Sequence, residues 1–97
     1  MNDQHSPRDA RTPLKCEIEF RRQGDTKYRV DVLDMSPKGC RVAPPVRVEP
    51  NDRVMLRLPG IEPIMGSVAW SREWEVGIEF DRPLYPAVFD ALVQRMK

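Results

Sequence analysis

The sequence contains one histidine, His5, and only two cysteines, Cys16 and Cys40, among its 97 residues. A zinc site uses about four closely spaced nitrogen, sulfur or oxygen ligands, and one histidine with two separated thiols does not supply them. A hydrolytic triad needs a histidine near its nucleophile, and no G-x-S-x-G elbow or glycine-rich phosphate loop is present. We therefore expect a protein that is not an enzyme and that has neither a metal nor a cofactor.

An excess of charge of one sign is also missing. Sixteen basic and 15 acidic residues leave a formal net charge of +1, although 32% of the residues are charged. This balance gives no indication of binding to bulk DNA or RNA. No apolar run approaches membrane-spanning length, and the N-terminus has no signal-peptide core. The sequence therefore predicts a soluble, cytoplasmic protein without membrane insertion, in which both thiols are reduced.

Alternating apolar and polar residues predict six strands with short connections. These strands are expected at 14–21, 27–33, 40–42, 53–58, 64–70 and 74–81. The alternation also places Trp70 and Trp74 among the apolar neighbours, which favours core packing for both. Residues 1–13 are polar and contain two prolines, so we expect a flexible arm there and a folded domain over 14–97.

After residue 83 the apolar period changes to that of a helix. The apolar positions are Tyr85, Val88, Phe89, Leu92 and Met96. Their spacing predicts one helix over about 84–96. Consecutive antiparallel strands with one buried face favour a closed barrel, which removes exposed edges. The predicted fold class is all-β with a terminal helix: a six-stranded antiparallel β-barrel plus a C-terminal α-helix.

One inter-strand segment carries unusual chemistry, Asp34-Met35-Ser36-Pro37-Lys38-Gly39. Asp34 and Ser36 can simply bond to their own backbone, and Gly39 can supply a positive φ, so ordinary turn chemistry is one interpretation. The other interpretation is a small anionic ligand with a purine base. Arg8 and Arg11 precede the first strand, and a guanidinium can pair bidentately with a phosphate or with a guanine edge.

The whole arrangement resembles the PilZ domain family. The resemblance includes an arginine-containing arm, two strands, Asp-x-Ser-x-x-Gly before the third strand, then GSVAW at 66–70 and EVGIEF at 75–80. It implies a receptor of cyclic di-GMP, a bacterial second messenger, that signals to an unknown effector protein by ordering its arm. The ligand contacts that it implies are Arg8, Arg11, Asp34, Ser36 and Gly39.

The arginine motif departs from the family pattern. That pattern has three residues between the two arginines, whereas two residues separate Arg8 from Arg11. In an extended chain a shift of one residue moves a side chain to the other side. Asp9 would in addition repel a phosphate. These departures motivate an alternative, which is a ligand-independent protein–protein interaction module with the same fold and a degenerate nucleotide site.

Overall fold

The computed structural model of the protein describes residues 12–97. The strands are β1 Thr12–Arg22, β2 Lys27–Ser36, β3 Gly39–Ala43, β4 Arg53–Arg57, β5 Ile64–Arg72 and β6 Glu75–Phe80, followed by helix α1 Pro86–Met96. Every neighbouring pair is antiparallel, and the order β1-β2-β3-β6-β5-β4 closes on itself. The predicted fold class, a closed six-stranded barrel with a C-terminal helix, is confirmed.

The barrel interior is filled by the apolar half of each alternating strand. Successive side chains of a strand point to opposite faces, so one residue in two enters the core. The least exposed of these residues include Phe20 from β1, Val32 from β2, Val42 from β3, Leu56 from β4 and Val68 from β5. The sequence pattern therefore determines the register, because a slip of one residue would expose this entire apolar set.

Helix α1 packs its apolar side against the barrel and contacts β1. Pro86 is the first helical residue, where its missing N–H is not needed. Leu92, Val93 and Met96 are buried. Tyr85 was predicted to share this buried face, and that prediction is wrong: its side chain is 79% exposed, because it precedes the helix in an extended conformation.

Several element boundaries differ from the sequence prediction. Strand β1 begins at Thr12, two residues before the expected start, and β2 continues through Ser36 instead of ending at residue 33. A bulge in β5 lies between Val68 and Trp70. Extra hydrogen bonds to neighbouring strands extend these elements beyond the range of clear alternation.

Two further findings concern the part of the chain that the structure describes. No disulfide joins Cys16 and Cys40. In residues 12–97, no helix is long and apolar enough to cross a membrane.

Candidate functional site

The hairpin between β2 and β3 holds three of the five residues expected to contact ligand. Strand β2 ends at Ser36 and β3 starts at Gly39, so the connecting turn is only Pro37 and Lys38. Asp34 and Ser36 therefore belong to a strand, whereas the sequence placed them in the turn. A strand fixes the backbone direction of both side chains, which makes the site more rigid than a loop would be.

A bulge in β2 places Asp34 on the outer surface of the barrel. Val32 pairs with Val42 and Asp34 with Arg41, so Leu33 is an extra residue with no counterpart on β3. Without this bulge, regular alternation would direct Asp34 into the core like Val32. With it, the fully buried Met35 takes the inward position and the Asp34 carboxylate meets the side chain of Arg41.

Arg41 connects two carboxylates on this outer surface. One terminal nitrogen lies 2.8 Å from Asp34 Oδ2, and the other donates to Glu75 Oε1 at 2.9 Å. The Asp34 side chain retains 11% of its exposure, against 37% for Arg41. The negative charge of Asp34, followed by that of Glu75, raises the pKa of Arg41. The arrangement holds the Asp34 carboxylate in a fixed position beside β3.

Ser36 and Gly39 have structural tasks in the hairpin. The Ser36 hydroxyl accepts a hydrogen bond from the Lys38 backbone N–H at 3.3 Å, which is local turn chemistry of the kind serine favours. Gly39 pairs with Glu79 of β6, and a methyl group at Gly39 would overlap the backbone carbonyl oxygen of Ile78. Glycine is required here because β3 and β6 approach closely, and not because of a positive φ.

The turn is also tied to the segment that leads into α1. The Phe80 N–H donates to the Lys38 carbonyl, and the Leu84 N–H donates to the Pro37 carbonyl, both at 2.8 Å. Both carbonyl groups of the two-residue turn are therefore used to hold the end of β6 and the loop after it. A displacement of the turn would be transmitted directly to the residues that precede the helix.

A cavity of about 300 Å³ opens beside this hairpin on the outer face of β3, β6 and β5. We call its lining the tryptophan platform, which consists of Ser36, Lys38, Gly39, Ala69, Trp70, Gly77, Ile78 and Glu79. Larger cavities of about 370 and 410 Å³ lie on other faces, and none of Asp34, Ser36 and Gly39 lines them. The tryptophan platform is therefore the cavity that the hairpin chemistry reaches.

Trp70 forms the aromatic part of the platform. Ala69 is an extra residue in β5, so Trp70 pairs with Gly77 on the outer face. Its indole lies against Gly77 so closely that a methyl group there would overlap the ring. The Arg72 guanidinium sits 5.2 Å from the ring centroid, within the range of a cation–π contact. An indole held in this way offers a flat surface for stacking.

The prediction that both tryptophans pack in the core is wrong. Trp70 is on the outer face of the barrel, and Trp74 is in the turn between β5 and β6 with 76% of its surface exposed. The bulge at Ala69 breaks the alternation on which the prediction relied. One sequence signal would have revealed Trp70: Gly77 interrupts the polar, outward-facing side of the next strand and leaves room for a large ring.

The expected ligand residues are only partly brought together. Ser36 and Gly39 line the cavity. Asp34 is not among the lining residues; it is 8% exposed and paired with Arg41. Arg8 and Arg11 lie outside the described residues. Trp70 and Glu79, which the sequence analysis did not select, line the same cavity as Ser36 and Gly39.

The side chains that line the platform are suited to noncovalent binding. Within residues 12–97, no three His, Cys, Asp or Glu side chains are grouped so as to hold a metal ion. The platform instead combines an aromatic face, a hydroxyl, a lysine and a carboxylate around a glycine floor. Such a set can stack a planar ring and hydrogen-bond its edge.

Comparison with known proteins agrees with this geometry. No curated protein matches the sequence. The family model described as the PilZ domain matches residues 2–96, which is nearly the whole chain. The match covers the six strands, the hairpin with Asp34, Ser36 and Gly39, and the C-terminal helix. The chain belongs to the PilZ domain family.

Proposed function

We propose that this protein is a receptor of cyclic di-GMP, which binds on the tryptophan platform and is closed in by Arg8 and Arg11. PilZ domains are in general a family of cyclic di-GMP receptors. The observation that carries the proposal for this chain is the cavity in which Ser36 and Gly39 of the hairpin meet the indole of Trp70.

The ligand has two guanine bases and two phosphates, and the platform and the arm together offer groups that can contact bases and phosphates. One guanine stacks on the indole of Trp70 in place of the Arg72 guanidinium, which lies 5.2 Å from the ring centroid, and this stacking gains about 1–3 kcal/mol. Lys38 is exposed and makes no ion pair with the described residues, so its ammonium is available to a phosphate. The guanidiniums of Arg8 and Arg11 supply bidentate contacts to phosphate or to a base edge.

Asp34 takes part from behind the cavity in this proposal. Its carboxylate is fixed by Arg41 and covered, so it shapes the wall next to Ser36 and adds negative potential that attracts the arginine arm. Gly39 allows the close approach of β3 and β6 that makes the floor flat. The five residues expected from the sequence keep a place in the site, with Trp70 added as the stacking surface.

The output of the receptor is a change of surface and not a chemical reaction. Binding of the dinucleotide fixes residues 1–11 over the platform, which creates a surface that an effector protein recognises. The hydrogen bonds from Phe80 and Leu84 to the turn give a second route, because they connect the hairpin with the start of α1. The protein acts through the partner and needs no catalytic group of its own.

Titration calorimetry of the full chain with cyclic di-GMP tests the proposal. We expect binding at micromolar concentration or below, lost with Arg11→Ala and weakened with Ser36→Ala. Arg21→Ala is the matched control, because Arg21 is an exposed arginine of β1 that lines a different cavity. A wild-type protein that shows no binding contradicts the proposal, and retention of a partner from lysate without nucleotide would then favour the interaction-module alternative.

A further inference from the structure

Glu79 is the one carboxylate in the lining of the tryptophan platform. It is exposed on the outer face of β6, where it pairs with Gly39 on one side and Ser67 on the other. Its side chain makes no hydrogen bond or ion pair with any other residue of the described part, 12–97. A carboxylate that forms no ion pair within the described residues, beside an aromatic stacking surface, can accept hydrogen bonds from a ligand.

The other acidic side chains near the hairpin are occupied. Asp34 and Glu75 both bind Arg41, at 2.8 and 2.9 Å. Asp81, two residues after Glu79, receives two hydrogen bonds from the guanidinium of Arg53. The family resemblance implied a ligand contact for Asp34. The structure pairs that carboxylate with Arg41 on the outer surface and places Glu79 in the lining of the cavity.

Glu79 is also at a suitable distance from the stacking surface. Trp70 covers Gly77, and Glu79 is two residues further along the same face of β6, about 6.6 Å away at the rise of a strand. A purine stacked on the indole would therefore direct one edge towards the glutamate. Lys38, which lines the cavity with Glu79, offsets the repulsion between this carboxylate and the phosphates of the ligand.

We infer that Glu79 is the specificity-determining residue of this site and that its carboxylate recognises the Watson–Crick edge of one guanine by accepting hydrogen bonds from N1–H and N2–H. The inference rests on the proposed function and adds the selection of the base to it. Guanine offers two adjacent donors to the two carboxylate oxygens. Adenine offers a bare N1 lone pair at the same place, which a carboxylate repels.

Three dinucleotides that differ only in this edge test the inference. Cyclic di-GMP has both donors, its hypoxanthine analogue cyclic di-IMP lacks the 2-amino group, and cyclic di-AMP lacks both donors. For the wild type we expect cyclic di-GMP to bind about tenfold or more tightly than cyclic di-IMP, with cyclic di-AMP weaker still, since a bidentate base contact discriminates by about that factor.

The substitution Glu79→Gln keeps the size of the side chain and replaces one acceptor oxygen by an NH₂ donor. We expect it to weaken cyclic di-GMP by about tenfold or more, to change cyclic di-IMP less, and to bring the two affinities close together. Binding of cyclic di-AMP should improve, because an amide can pair with adenine. Asp90→Asn removes one negative charge from an exposed position of α1 and controls for net charge.

The outcomes separate this inference from the proposed function. A wild type that binds none of the three dinucleotides removes the proposed function, and the inference with it. A wild type that binds cyclic di-GMP, together with a Glu79→Gln variant that keeps the same preference over cyclic di-IMP, overturns the role of Glu79 alone. Melting temperatures of both variants should equal that of the wild type, because both side chains are exposed.

Discussion

Two parts of the outer barrel surface use charge in opposite ways. We call the first the charge-paired face, made of Glu17, Glu19, Lys27, Arg29 and Arg57 on β1, β2 and β4. Arg29 binds Glu17 at 3.1 Å, while Lys27 and Arg57 lie 3.9 and 3.6 Å from Glu19. On this face every charge has an opposite charge across the strands, which describes a solvated surface and not a binding site.

The tryptophan platform has fewer charges and leaves two of them without a partner in the described part of the chain. Gly39 and Gly77 remove side chains from its floor, and Trp70 fills part of the space with a flat ring. Lys38 and Glu79 stand at its edge. The two surfaces differ in that glycines stand on the platform, whereas cross-strand charge partners stand on the charge-paired face.

The largest effect is expected from adding a methyl group to the platform floor. Gly39→Ala places a Cβ against the Ile78 carbonyl oxygen, and backbone cannot give way as a flexible side chain does. We expect a loss of about 2–3 kcal/mol in the free energy of unfolding, the range for overpacking a well-packed site. Urea denaturation followed by circular dichroism measures it.

Gly24→Ala is the matched control for that substitution. Gly24 has a φ of +79° but no atom within 4 Å of the position of a Cβ, so it tests strain without a clash. We expect it to cost about 1 kcal/mol. If Gly39→Ala were the milder of the two, the close approach of β3 and β6 would not be the reason for glycine at position 39.

The second effect concerns ligand binding on the platform. Trp70→Ala removes the stacking surface, and we expect cyclic di-GMP affinity to fall about tenfold or more, in line with about 1–3 kcal/mol per stacked base. Trp74→Ala is the control, since that indole is 76% exposed in the β5–β6 turn and does not line the cavity. Calorimetry should show that it retains wild-type affinity within twofold. Equal losses in both variants would contradict stacking on Trp70.

A third prediction compares Arg29 of the charge-paired face with Arg41, which pairs across the strands with Gly77 of the platform. Arg29→Ala on the charge-paired face should change the free energy of unfolding by about 0.5 kcal/mol or less, as exposed ion pairs do. Arg41→Ala should destabilise the fold more, because it leaves the covered Asp34 carboxylate without this partner and loses the contact with Glu75. Thermal unfolding of both variants ranks them. The opposite order would show that Arg41 does not hold Asp34.

The barrel itself could be predicted from the sequence because period-2 alternation specifies both the strands and their inner face. Residues such as Phe20 and Leu56 were identifiable as core from this pattern alone. The ends of the strands were harder to predict from the sequence. Strands β2 and β5 continue past the end of clear alternation because the neighbouring strands supply hydrogen-bond partners there. The local sequence does not specify which strands will be neighbours in the barrel.

The site was less predictable than the barrel, and in both β2 and β5 the reason is a bulge. The extra residues Leu33 and Ala69 each reverse the alternation within a strand. Asp34 and Trp70, which follow these bulges, consequently lie on the outer face although simple parity would place them inside. The family resemblance still identified Asp34, Ser36 and Gly39 as the segment of interest. It gave no indication of Glu79, whose significance depends on what lies across the barrel surface.

The smallest expected effect on the free energy of unfolding concerns the ion pair of Arg53 and Asp81, which lies outside both the charge-paired face and the tryptophan platform. The Arg53 guanidinium donates to both carboxylate oxygens of Asp81, with one distance of 2.8 Å. These hydrogen bonds lower the pKa of Asp81 below its usual 3.8. A lowered folded-state pKa favours folding wherever the carboxylate is ionised in both states, and this stabilisation disappears as the pH falls through the folded-state value.

Asp81→Asn should therefore be slightly less stable than the wild type at pH 7, with the difference vanishing as the pH drops below 3.8. Thermal unfolding across this pH range measures the effect, with Asp90→Asn as a control that has an exposed carboxylate on α1. A difference between wild type and Asp81→Asn that persists unchanged at the lowest pH would mean that the pair stabilises the fold through packing of Arg53 and not through charge.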